Sequence, residues 1–460
     1  MFFNVFQFFF QYFSKTNIIM ALDATNSKPI NNIKGENTPS SIKNIIRPAI
    51  IPKIRKHLSK KNNTKTSVLN LDNIENYIYS DYFNHIYLYN DISKNSILDV
   101  RNTIDEANKS GEKMAPKGIV LHINSPGGDV IAGIGLMRIV ARSRVPIIVF
   151  VEGLSASAAT FISVLAKYRV IAPYASILVH QYAGFNFGQR DLLLHQTNIG
   201  EAMFSMIQKL YKKHTKIPHQ YLDELLEHDL LLDAKLSVEF GLMDKALHRD
   251  ISPLVEKYFS INPQYNLASN IIEKKTNFNN IYLYNASEWS DFSASSGLIS
   301  QITDILKKQP VYSGNNSMNK LIAKGSAKPI VLNIGDLQDE TRDIMMILPL
   351  INIVSLSSVP FISIIDAPIS EYCLLITIMC SKRLMYHYAF ASINFNLNDM
   401  NRKIRSSIFN IEFYANIIMN IFGKYTKLPE KILKTILEKK YILSAEECLK
   451  YGIIDEILYD

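Results

Sequence analysis

Three short segments place chemically capable side chains at the ends of apolar runs. Asn124-Ser125-Pro126-Gly127-Gly128-Asp129 follows the branched run Gly118–Ile123. Two glycines directly after a strand let the backbone approach another group closely, with N–H groups turned toward it. The plainer interpretation is a tight turn, and alone the segment carries no more. Glu152-Gly153-Leu154-Ser155-Ala156-Ser157-Ala158-Ala159-Thr160 joins the apolar run Val145–Val151 to a stretch of small and apolar residues. A serine at a strand–helix junction meets free N–H groups and the positive end of the helix dipole, which favour developing negative charge. The plainer interpretation of Ser157 is a helix N-cap. Leu178-Val179-His180-Gln181 ends an apolar strand in a histidine. A histidine base needs an orienting carboxylate, and Asp229, at the end of a helix expected over Pro218–His228, is the candidate. Taken singly, His180 is a satisfied structural histidine and Asp229 a solvated helix-end acid.

It is the conjunction and order of these segments that are distinctive. Asn-Ser-Pro-Gly-Gly, Gly-Leu-Ser-Ala-Ser-Ala-Ala, Val-His-Gln, Asp229 with an apolar run and Ala234, then Phe240-Gly241-Leu242-Met243-Asp244 resembles the proteolytic subunit of the Clp protease. The resemblance covers nearly all of residues 84–247. The 23-residue step from Ser157 to His180 and the Ser-Ala-Ala wording are closer to the Clp-like head-maturation proteases of phages. It implies an α/β crotonase-type fold, a spiral of βα units. It also implies a nucleophile at Ser157, a general base at His180, an orienting acid at Asp229, and an oxyanion hole from the N–H groups of Gly128 and Ala158. Ser155 lies two residues early and Ser125 lies in the turn expected to supply an oxyanion donor, so both are weaker nucleophile candidates. No cofactor or metal is implied. The expected partners are a polypeptide substrate and further subunits, of the same or another chain, in a ring.

The elements that must position these residues are written twice. Asn84–Asn90 recurs as Asn279–Asn285, Ile119–Ile123 as Ile330–Ile334, and Val145-Pro146 as Val359-Pro360. Ala175–Ile177 recurs as Ala391–Ile393, Lys213–Pro218 as Lys424–Pro429, and Phe240–Asp244 as Tyr451–Asp455. Six matches in one order mark a tandem repeat. In the first copy Ile97, Val100, Ile104 and Ala107 share one helical face. Ile199, Met203, Met206 and Leu210 suggest a second amphipathic helix, over Arg190–His214. Strand–helix alternation argues for an α/β fold. The boundaries read as an extension over 1–77, a peptidase domain over 78–247, a linker over 248–275 and a degenerate copy over 276–460. In that copy Gln338 and Asp339 replace the glycine pair, and Glu371, with Ser370 adjacent, Asn396 and Lys440 stand opposite Ser157, His180 and Asp229. Its only histidine, His387, precedes the strand that should carry a base, so a pseudo-protease domain is expected.

The net charge of +8 suggests nucleic-acid binding until it is located. Residues 1–65 hold eleven Lys and Arg against Asp23 and Glu36, which leaves the remainder near neutral. Nucleic-acid binding is therefore not expected. The aromatic-rich Met1–Phe13, followed by a basic, hydroxyl-rich stretch, resembles an organelle presequence of plastid or mitochondrion. A disordered tail of a cytoplasmic protein, or a chain starting at Met20, fits the same residues. Cys373, Cys380 and Cys448 form no CxxC pair, which argues against a disulfide framework or zinc knuckle and for a reducing compartment. No GxxxxGK[ST] loop is present, so ATP-driven unfolding would need a separate AAA+ ATPase. Two rivals to a peptidase remain: another crotonase-fold hydrolase or acyl-CoA enzyme, and a non-catalytic scaffold or regulatory subunit.

Overall fold

The computed structural model describes residues between Leu71 and Tyr459. Within that span it leaves out 72–73, 77, 80–82, 111–117, 181–189, 227–229, 249–255, 257–258, 261–277, 284–291, 309–327, 336–343, 358, 394, 396–407 and 436–440. The presequence, tail and start-site expectations, most of the linker, and Asp229, Gln338, Asp339, Asn396 and Lys440 thus lie outside the described residues.

Two runs of alternating strands and helices follow one another. The first comprises β1 (Asn84–Leu88), α1 (Lys94–Ser110), β2 (Ile119–Ser125), α2 (Val130–Arg142), β3 (Ile147–Ala156), α3 (Ala158–Leu165), β4 (Tyr168–Ile171) and β5 (Ser176–Val179). It ends with α4 (Arg190–His214), α5 (His219–Leu226), β6 (Leu230–Asp233), α6 (Ala234–Glu239) and β7 (Lys245–Ala246). The second repeats it as β8 (Asn279–Leu283), α7 (Phe292–Lys308), β9 (Ile330–Ile334), α8 (Ile344–Leu356), β10 (Phe361–Ile365), α9 (Glu371–Met379) and β11 (Lys382–Tyr386). β12 (Phe390–Ile393), α10 (Ile408–Tyr425), α11 (Glu430–Thr435), β13 (Tyr441–Ser444), α12 (Ala445–Lys450) and β14 (Glu456–Leu458) complete it. The α/β class and the two tandem copies are those expected.

In the first copy β1-β2-β3-β4-β7 form a parallel path, β5 joins the far end of β3, and β6 pairs antiparallel with β5. The second copy orders its strands β14-β11-β10-β9-β8, while β12 and β13 form a separate pair. Every residue of β2, β3, β9 and β10 is buried. This is the pattern of parallel strands covered on both faces, and it explains their branched, nearly unbroken apolar sequences. α1 buries Val100 and Ile104 on the face read from its spacing. α4 has the expected span, but its buried stripe is rotated by one residue: Ile207 and Tyr211 are buried and Met206 is exposed. The Tyr211 hydroxyl meets Thr160 Oγ1 at 2.5 Å, which fixes that face against α3.

The same internal brace closes both copies. Arg169 pairs with Asp244 through Nη2–Oδ1 at 2.5 Å, and its Nη1 donates to Gly241 O at 3.0 Å. Arg383 pairs with Asp455 at 2.6 Å, and its Nη1 donates to Gly452 O at 3.0 Å. Both glycines have positive φ, 73° and 64°, where a side chain costs about 1–2 kcal/mol. A Cβ on Gly241 would also lie 2.8 Å from Lys216 N, a backbone atom, whereas one on Gly452 would come no nearer than 3.2 Å to the Lys427 side chain. Gly241→Ala is therefore expected to lower stability by more than Gly452→Ala, whose loss should stay near about 1–2 kcal/mol. Urea unfolding of the two variants checks the order; an equal loss contradicts it.

Candidate active site

β3 runs ten residues and changes neighbours along its length. Its first half pairs with β4 through Val151↔Ile171, and its last residues pair with β5 through Leu154↔Ser176 and Ala156↔Leu178. The strand then breaks at Ser157, where φ is 52° and ψ is −123°. Among the described residues Ser157 is the one non-glycine with positive φ. Such a conformation costs about 1–3 kcal/mol and persists only where the surroundings enforce it. The enforcing contacts are visible. Ser157 N donates to Leu178 O at 3.2 Å, and Ser157 O accepts from Thr160 N at 2.9 Å and Thr160 Oγ1 at 2.6 Å. The Ser157 side chain makes no capping hydrogen bond, so the plain N-cap interpretation fails. A strained serine at a sharp turn from strand to helix has the backbone form of a nucleophile elbow.

The glycine turn lies directly against this elbow. A Cβ on Gly127 would stand 2.6 Å from both Ala156 O and Ser157 Cβ. A Cβ on Gly128 would stand 2.4 Å from Ile92 O. Their φ values of 95° and 141° exclude most side chains independently. Ile92 braces the turn, its N donating to Gly127 O and its O accepting from Asp129 N, both at 2.7 Å. That bridge uses the groups on either side of Gly128 and not the Gly128 N–H. Ala158 opens α3, so no intrahelical carbonyl reaches its N–H. Asp129 caps α2 through Ile131 N at 2.8 Å and Ala132 N at 3.1 Å.

His180 directly follows β5, two residues beyond the carbonyl that receives Ser157 N, and is half-buried. β6 begins at Leu230, opposite Val179. α5 is described over His219–Leu226, within the expected Pro218–His228, and residues 227–229, Asp229 among them, fall outside the described residues. The two rival serines are otherwise engaged. Ser125 Oγ donates to Asn90 O at 2.7 Å, and Ser155 is fully buried with its Oγ 3.3 Å from Ser163 Oγ.

Two supports escaped sequence reasoning. Ile92 offered no signal, because an isoleucine beside a predicted strand reads as core. Glu152 was visible as the one acid in an apolar strand. It is fully buried and accepts hydrogen bonds from the Tyr79 and Tyr89 hydroxyls, with His122 Nδ1 at 3.0 Å from Oε2. His85 Nδ1 in turn lies 2.9 Å from His122 Nε2. Burial, and then the Glu152 charge, push both tyrosine pKa values well up, which keeps the phenols protonated as donors.

The second copy lacks the elbow. β10 stops at Ile365, only an isolated bridge, Ile369↔Ala391, continues toward β12, and Ser370 has ordinary extended angles of −81° and 169°. Ser370 is 2% exposed, and Glu371 occupies the first turn of α9. A serine-reactive probe added to a Ser157→Ala chain is therefore expected to leave Ser370 unlabelled, as checked by peptide mapping. Label at Ser370 would reveal a second reactive serine.

The family model described as Clp protease matches residues 73–250 and 377–460, more than half of the chain and parts of both copies.

Proposed function

The chain belongs to the Clp protease family, and on that premise we propose that its first copy, residues 78–247, is a serine endopeptidase acting through Ser157, His180 and Asp229. The observation that carries this reading is the positive φ at Ser157, held in place by the glycine turn on one side and β5 on the other. His180 takes the Oγ proton as Oγ bonds to the scissile carbonyl carbon. The carbonyl π electrons move to oxygen, and the N–H groups of Gly128 and Ala158 receive that oxyanion, each worth about 3–4 kcal/mol. His180 then protonates the leaving amine as the C–N bond breaks. A water, deprotonated by the same histidine, then bonds to the acyl carbon, and the histidine returns that proton to Ser157 Oγ as the C–Oγ bond breaks. Asp229 orients the imidazole, a role supported by β6 starting at Leu230 opposite Val179.

The second copy, residues 276–460, serves as a pseudo-protease domain. The substrate is an unfolded polypeptide or peptide, the assembly a ring, and ATP-driven unfolding the work of a separate AAA+ partner. Labelling of the purified chain with a fluorophosphonate, followed by peptide mapping, tests the reading. Label at Ser157 is expected; an unlabelled Ser157 in a folded chain overturns it.

A further inference from the structure

α8 of the second copy packs against β3 of the first and is apolar on every side, with Asn352 and Ser355 its only polar side chains. Asn352 is fully buried. An amide in such surroundings is costly unless both its ends are satisfied. Here both are, and by groups of the other copy. Asn352 Nδ2 donates to Glu152 O at 2.7 Å, and Asn352 Oδ1 accepts from Tyr174 N at 2.9 Å. A carbonyl can only accept and a backbone N–H can only donate, so the amide orientation is fixed.

The location gives the contact its meaning. Between Val151 and Leu154 β3 leaves β4 for β5, and its register with β2 shifts between Ile123 and Ser125. Regular ladder bonds lapse there, and side-chain amides replace them: Asn124 Oδ1 accepts from Leu154 N at 2.9 Å, and Asn352 holds Glu152 O. Glu152 stands five residues before Ser157, and Tyr174, in the β4–β5 turn, six before His180. A Cβ on Gly153 would come within 3.0 Å of the Pro349 side chain, so α8 sits tightly on this segment. The Tyr174 phenol is held as well: burial and its hydrogen bond to Tyr425 of α10 push its pKa well up.

We propose that Asn352 is a positioning residue for the first copy's site: it ties the strand leading to Ser157 to the turn leading to His180, so the degenerate copy activates its neighbour within one chain. The proposal rests on the catalytic reading of Ser157 and His180. Misplacement of reacting groups by about 1 Å can cost on the order of 100-fold. In the full chain, Asn352→Leu is expected to lower kcat and the fluorophosphonate labelling rate of Ser157 by about 10–100-fold with KM little changed. Val354→Ala, a packing change on the same helix, should lower thermal stability while the folded chain labels at the wild-type rate. If Asn352→Leu fails to fold, Asn352→Asp gives a second readout. Only a protonated carboxyl can donate to Glu152 O, so its labelling rate relative to wild type should rise as pH falls. A folded Asn352→Leu chain that labels at the wild-type rate, or a pH-independent ratio for Asn352→Asp, overturns the positioning role alone. A wild-type chain unlabelled at Ser157 overturns it together with the catalytic reading.

Discussion

Replacing Ser157 by alanine is expected to abolish peptide hydrolysis, a loss of about 10⁴–10⁶ in rate, while the chain folds as before. The size follows from how the groups act together. Without Oγ, His180 has no proton to take, and the oxyanion donors have no tetrahedral centre to bind. Stability should barely change, because the hydroxyl makes no capping bond and the residue is only half-buried. Alanine also keeps the positive-φ strain that serine carries. Ser157→Gly separates the two effects: it loses the same activity but relieves the turn, and should stabilise the chain by about 1 kcal/mol. Peptide hydrolysis and thermal melting of both variants check this. An alanine variant cleaving at the wild-type rate would falsify the nucleophile assignment.

The elements were legible where periodicity is strong. β9 is the apolar run Ile330–Ile334, and α4 spans Arg190–His214. The repeat was legible because each closing segment needs a glycine at positive φ and an Asp to meet an arginine. Arg169 and Arg383 themselves were not singled out: an arginine beside an apolar run reads as solvated until its partner 75 or 72 residues away is known. The rotation of α4 was hidden for a similar reason. Met206 and Ile207 are equally apolar, and only the Thr160–Tyr211 contact decides which faces inward. The extension of β3 to Ala156 was missed because Glu152-Gly153 interrupts its apolar run. That interruption is where the strand exchanges β4 for β5, and it brings Ser157 alongside the end of β5.

Glu152 stands at that interruption, and Glu152→Leu is expected to cost about 3–5 kcal/mol, the range for removing one partner from a buried charged cluster. The substitution fits the volume but strands three groups. The Tyr79 and Tyr89 hydroxyls lose their acceptor, and so does His122 Nδ1, in a buried site. Tyr87, whose ring stacks on His122 at 4.6 Å, and Phe150, edge-on at 5.5 Å, close the remaining space. Tyr79→Phe or Tyr89→Phe should each cost less, about 1.5–3 kcal/mol, because the carboxylate keeps two of its three partners. The double change Tyr79→Phe with Tyr89→Phe should exceed the sum of the single losses, since His122 alone then holds a carboxylate with no exposure to solvent. Urea unfolding of the four variants tests this ordering. If Glu152→Leu unfolds at the wild-type midpoint, the cluster adds nothing to stability, and the alignment of β1, β2 and β3 beneath Ser157 rests on their apolar faces alone.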